Sequence, residues 1–147
     1  MGQLFDPRFG PVVAIGPFYV ANLDTALTNT DLLIGNITAE TLTPGMPSAG
    51  TVVGLSVGSS AAPSAGTATF SVHSAGTELS GSPTAVIDSA TNTLESSGLA
   101  GSARALTFAK GARLGISATT TTNLAATTVD YRAYLWVRFD PDGLAGA

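Results

Sequence analysis

Chemistry at a protein site needs reactive side chains brought together, and this chain carries few of them. Its only histidine, His73, stands in "TFSVHSAGT" at 69–77, in the polar register of an alternating run and just ahead of a turn. A general base must sit within hydrogen-bond reach of the proton it abstracts, so a histidine at such a strand end reads as an exposed surface residue. Serines are plentiful, but without a well-placed base they make no triad. Asp140 and Asp142 are close in sequence, as a carboxylate pair for glycoside cleavage would have to be close in space. They belong to "FDPDG" at 139–143, however, where proline, aspartate and Gly143 read as a turn. The same segment opens like a calcium loop but has no glutamate at the distance such a loop requires. Cysteine is absent, which excludes a thiolate nucleophile, a thiolate metal site and a disulfide framework. No catalytic, cofactor-binding or metal-binding residue is expected.

One constellation remains, in "VDYRAYLWVRFD" at 129–140. Successive side chains of a strand point to opposite faces. If Tyr131, Ala133, Leu135, Val137 and Phe139 fill a core, then Arg132, Tyr134, Trp136 and Arg138 share the other face. Arginine stems and rings can stack on one another in water, a contact of roughly 0.5–1 kcal/mol at exposed sites. Trp, Tyr and Arg are also the residues that dominate protein interfaces. The four are read as a subunit or partner interface. Stacking on single-stranded nucleic acid is opposed by the net charge of −4, with six scattered Lys and Arg residues.

The elements that must position this face are strands. Val53, Leu55 and Val57 alternate with Gly54, Ser56 and Gly58; Ala68, Phe70 and Val72 alternate with Thr67, Thr69, Ser71 and His73. The same period returns in Leu106 and Phe108, in Leu114, Ile116 and Ala118, and in the closing run from Val129 to Phe139. "SSAAPSAG" at 59–66, "SAG" at 74–76, "SGSP" at 80–83 and "AKGA" at 109–112 punctuate these runs as turns. Upstream, Val12–Ile15, Phe18–Val20 and Leu32–Ile37 read as further strands, with Gly16-Pro17 and Gly35 marking a bend or bulge. The Asn, Asp and Thr residues of 22–31 favour a loop. The small polar residues of 89–105 read as a long connection, and "TTTT" at 119–122 as a polar strand edge or connection.

The pattern predicts an all-β protein: a single jelly-roll-like antiparallel β-sandwich with an extended N-terminal arm. An immunoglobulin-like sandwich lacks its marks, a cysteine pair around a core tryptophan. The arm is residues 1–17, in which Leu4, Phe5 and Phe9 are apolar anchors between Asp6-Pro7-Arg8 and Gly10-Pro11. The sandwich spans 18–140, and 141–147 form a short tail. A chain of 147 residues is long enough for one core. Charged residues make up 11% of it, under half of the usual share of about 25%, so the surface is suited to contact. "MGQLFDPRFGPVVAIGPFYV" has no basic region ahead of its apolar stretch and is broken by prolines, and Asp6 departs from the myristoylation pattern. Synthesis in a cytoplasm, without secretion or a membrane span, is expected.

The succession "MPSAGTVVGLSVGSSAAPSAGTATFSVHSAGTEL", "LTFAKGARLGISATTTT" and "VDYRAYLWVRF" resembles the jelly-roll modules of tailed-bacteriophage structural proteins. Phe108, Gly111 and Leu114 match their F-x-x-G-x-x-L step, and Gly76-Thr77 match a turn in which Ala75 replaces the usual Asn. The resemblance covers roughly residues 46–140. With its small size and arm, the chain looks most like a capsid decoration, or cement, protein. That resemblance implies a non-enzymatic virion component on the outer capsid surface. It would bind the major capsid protein as a homotrimer and clamp the coat lattice, with no cofactor, nucleic acid or membrane involved. Leu4, Phe5 and Phe9 would then be the capsid-contact arm, and Arg132, Tyr134, Trp136 and Arg138 the subunit or coat contact. The alternative is a tail or head-fibre receptor-binding or carbohydrate-binding module, with a surface glycan held by the loops at 22–31 and 89–105 or stacked on Trp136 and Tyr134.

Overall fold

The computed structural model describes residues 12–23, 25–34, 45–90, 94–98, 106–125 and 129–140. Along them the chain forms β1 (Val12–Ala21), β2 (Thr30–Asp31), β3 (Leu33–Ile34), β4 (Gly50–Ser59), β5 (Thr67–Ser74), β6 (Thr77–Glu78), β7 (Thr84–Asp88), β8 (Leu94–Gly98), β9 (Thr107–Phe108), β10 (Leu114–Thr120) and β11 (Asp130–Phe139). These make two antiparallel sheets. Sheet A runs β3-β1-β11-β4-β8, with β9 also on β4; sheet B runs β2-β10-β5-β6, with β7 also on β5. The chain visits sheet A in β1, sheet B in β2, A in β4, B in β5 and β7, A in β8, B in β10 and A in β11. Neighbouring strands thus come from distant parts of the sequence, β1-β11-β4-β8 facing β2-β10-β5-β7, which is the interleaving of a jelly roll. The all-β sandwich expected from the alternation is the fold observed.

β11 lies between β1 and β4 and carries the alternation most cleanly. Tyr131, Ala133, Leu135 and Val137 are fully buried, each large apolar side chain contributing on the order of 1.5–3 kcal/mol by leaving water. From sheet B, Ala68, Phe70, Val72, Ile87, Leu114 and Ile116 meet them in one core. Phe70 packs on Tyr131 with ring centroids 5.4 Å apart. Phe139, at the end of the run, is only half-buried and leans edge-on against Phe108 at 6.1 Å.

Three expectations about these elements need correction. β4 does not bury Val53, Leu55 and Val57 in simple alternation. Trp136 pairs with Gly54 but Val137 pairs with Val52, so Val53 is the extra residue of a bulge. Val52, Leu55 and Val57 are therefore the buried set, and Val53 is half-buried. Next, Val12–Ile15 do form the strand read there, paired with β11 from Val12↔Arg138 to Ile15↔Leu135, so the arm boundary at 17 is what changes and residues 12–17 belong to β1; residues 1–11 lie outside the described residues. Lastly, the long connection at 89–105 contains β8, paired with β4 from Leu94↔Gly58 to Gly98↔Gly54. Its Ser and Gly residues carry too little hydrophobic signal to announce a strand.

The turns read at 74–76, 80–83 and 109–112 are turns in the structure, while Gly35 and the FDPDG turn beyond Asp140 lie outside the described residues. Gly16-Pro17 coincides with a register shift between Ile15 and Phe18, and of the loop expected at 22–31 the described residues 22–23 and 25–29 are irregular, with Asn22, Ala26 and Asn29 at positive φ, while Thr30–Asp31 form β2. The threonine run fastens that loop to β10: Leu27 N–H donates to Thr120 Oγ1 at 2.9 Å and Asn29 N–H to Thr119 Oγ1 at 3.1 Å. Leu32 then switches the chain between sheets. Asp31 pairs with Ser117 in sheet B and Leu33 with Tyr19 in sheet A, while buried Leu32 donates its N–H to the Ile116 carbonyl at 2.8 Å.

Candidate functional site

Because β11 is flanked on both sides, its outward side chains stand on a continuous sheet rather than on a loop. Arg132, Tyr134, Trp136 and Arg138 do share this outer face, with Tyr134 40% and Trp136 37% exposed and Arg138 half-buried. The register explains why the rings remain uncovered. Across from Trp136 stand Ala14 on β1 and Gly54 on β4; across from Tyr134 stands Ser56, and across from Arg132, Gly58. On the other flank of Tyr134, a Cβ added to Gly16 would come within 3.2 Å of its ring carbon Cδ1 and 2.9 Å of the Ala133 carbonyl oxygen. Short side chains on both neighbouring strands make a low surface from which the two rings project. Val12, across from Arg138, extends the apolar surface and is itself exposed.

Trp136 is held as well as exposed. Its indole Nε1–H donates to Ser56 Oγ at 2.8 Å, which fixes the ring over the β4 side of the face. Contrary to the expectation that no such motif occurs, Gly54-Leu55-Ser56-Val57-Gly58 has the G-x-S-x-G spacing of a hydrolase nucleophile elbow. Such an elbow requires a sharp turn from strand into helix. Here the five residues lie inside β4, and Ser56 accepts the indole hydrogen bond.

At the opposite end of the same face, Gly58, Ser59, Ser60, Asp130 and Arg132 line a recess of about 410 Å³. Ser60 pins Asp130 through its backbone both ways: Asp130 N–H donates to Ser60 Oγ, and Ser60 N–H to the Asp130 carbonyl, each at 2.9 Å. The Tyr19 hydroxyl lies within the electrostatic reach of the Asp130 side chain. Its pKa is raised from the ordinary 10.0, first by desolvation, then by the Asp130 charge, with Arg132 opposing.

The histidine departs from expectation. His73 is on the outward register of β5, yet it is 1% exposed. Its Nε2 lies 3.3 Å from Ser71 Oγ, which is 3.5 Å from Ser117 Oγ on β10. Its Nδ1 has no hydrogen-bond partner among the described residues. Alternation assigns a face, not the cover above it, so the burial of this polar cluster was not legible. Leu4, Phe5 and Phe9 lie outside the described residues. Among the described residues no group of three or more His, Cys, Asp or Glu side chains could hold a metal ion, and no helix is long and apolar enough to cross a membrane.

Comparison of the chain with protein-family models, curated proteins and solved structures yields no match. The fold and the surface therefore define a class by physical character: an antiparallel β-sandwich presenting an aromatic and guanidinium face on an internal strand.

Proposed function

We propose that this protein works by binding, as a decoration protein that docks on the outside of a viral capsid and stabilises its coat lattice. The observation that carries the reading is the pair Tyr134 and Trp136, exposed on a strand held from both sides. Aromatic rings on a rigid support lose little conformational entropy when covered, and Trp, Tyr and Arg are enriched among residues that dominate interfaces. The fitting partner surface is an apolar cleft flanked by carboxylates, complementary to Arg132 and Arg138. Coat proteins repeat their surfaces by symmetry, and a homotrimer placed on a three-fold axis multiplies a modest contact through effective concentration. The segment with Leu4, Phe5 and Phe9 adds a second contact in this scheme, by pairing with an exposed sheet edge of the coat.

Quantitative mass spectrometry of purified particles from the source tests the reading. Copies on the order of hundreds per particle fit a lattice-wide role. A few to a few dozen copies would place the chain on a tail or fibre, and absence from particles would reject both. Deletion of residues 2–11 separately tests the arm: unchanged capsid co-sedimentation of the truncated chain would remove that contact from the scheme.

A further inference from the structure

The recess beside Arg132 has features that a protein-docking face does not require. Its volume of about 410 Å³ falls in the range of small-molecule sites, roughly 300–1,000 Å³. Its floor is Gly58, whose missing side chain leaves space next to Arg132. Two charges of opposite sign, Asp130 and Arg132, face the same space, and among the described residues neither closes an ion pair. They stand two residues apart on one face of β11, a backbone separation of about 7 Å, on the scale of one sugar ring. The Asp130 backbone is fixed in advance by Ser60 through both its N–H and its carbonyl. Tyr19 pairs with Arg132 across the strands, and Tyr134 follows on the same face.

From this arrangement we infer that the recess binds an acidic monosaccharide unit, a hexuronic acid type of ring with one carboxylate and several hydroxyls. Arg132 pairs with the carboxylate through its forked N–H donors. The Asp130 carboxylate accepts hydrogen bonds from ring hydroxyls, and Ser59 and Ser60 complete the polar wall. A small inorganic anion carries no hydroxyl donors to offset its repulsion by Asp130, and a metal cation would be repelled by Arg132. A neutral sugar would leave the guanidinium without its partner. A ligand joining a carboxylate to a polyhydroxylated ring uses both charges.

The test is a titration of the full ¹⁵N-labelled chain followed by amide NMR, with sodium glucuronate, glucose and glutamate as separate probes. Glucuronate is expected to shift the amides of Gly58, Ser59, Ser60, Asp130 and Arg132 at millimolar concentration. Glucose is expected to bind about tenfold more weakly or worse, for want of a charge-assisted hydrogen bond. Arg132→Met, which keeps most of the stem, should lose the glucuronate response by about tenfold or more while the remaining spectrum shows an intact fold. No shift with glucuronate overturns the inference. So do equal binding of glucose, which removes the role of Arg132, and tighter binding of glutamate, which makes the recess a zwitterion site. Copy number on a particle bears on none of these outcomes, so this inference and the decoration role fail independently.

Discussion

Trp136 and Ser56 meet on the outer face of sheet A, the indole Nε1–H donating to the serine hydroxyl at 2.8 Å from one strand to the next. The bond satisfies the one polar atom of the indole while the rest of the ring stays available. Trp136→Ala is expected to change folding free energy by no more than about 1 kcal/mol, the range of a lost exposed hydrogen bond and surface packing. The same change should abolish capsid co-sedimentation. Urea melts alongside sedimentation check it, and unchanged binding would make the face ordinary surface.

Tyr131 is fully buried against Phe70, and its hydroxyl has no hydrogen-bond partner among the described residues. Tyr131→Phe removes an unsatisfied polar group and keeps the ring, so it should raise stability by about 1 kcal/mol. Thermal or urea unfolding at neutral pH reads the gain directly.

The same phenol gives the fold an alkaline limit. Burial raises the Tyr131 pKa above the ordinary 10.0, and Tyr19 is raised as well, by desolvation and then by Asp130. The unfolded chain releases both protons near 10.0 while the folded chain keeps them. Above that pH the unfolded state binds fewer protons, and stability falls with rising pH. The contribution is complete below pH 10.0 and is lost as pH climbs through the folded-state values. Unfolding titrations at several alkaline pH values should show this slope, and Tyr131→Phe should make it shallower.

In the β5–β6 hairpin Ala75 has φ 52° and Gly76 φ 79°. Two positive φ angles match the mirror-image turn that favours Asn-Gly. Ala75 pays the steric cost of a Cβ in the left-handed region. Ala75→Asn should stabilise the protein by about 0.5–1 kcal/mol, visible as a higher melting temperature with an unchanged amide spectrum.

Gly16 has φ 143° and abuts the Ala133 carbonyl. Gly16→Val would combine backbone strain with a clash against backbone, and should cost about 2 kcal/mol or more. Loss of β1 pairing would be read by faster hydrogen exchange at Val12–Ile15.

How far the sequence reaches can be seen residue by residue. The outward set Arg132, Tyr134, Trp136 and Arg138 was legible because β11 pairs without interruption to β1 over Val12–Ile15 and keeps its period of two. Val52 was missed because a bulge is a property of two strands together, and the run of apolar residues at 52–53 fits either phase. β8 was missed because its pairing is backbone hydrogen bonding to β4, which small polar residues support without a hydrophobic signature. The recess was missed because its walls come from the end of β4 and the start of β11, segments some seventy residues apart that only the fold joins. His73 was misplaced for the same kind of reason: tertiary burial overrode a local pattern that favoured exposure.

The pairing of Val12 with Arg138 has a mechanical meaning. The outermost described residues of β1 and β11 emerge side by side at one corner of sheet A. Tension applied between them would pull across the hydrogen bonds and open them one after another, from the corner inward, whereas tension along the strands would have to break many at once. The sandwich is thus compliant to load applied between these two strand ends and stiff to load spread over its faces.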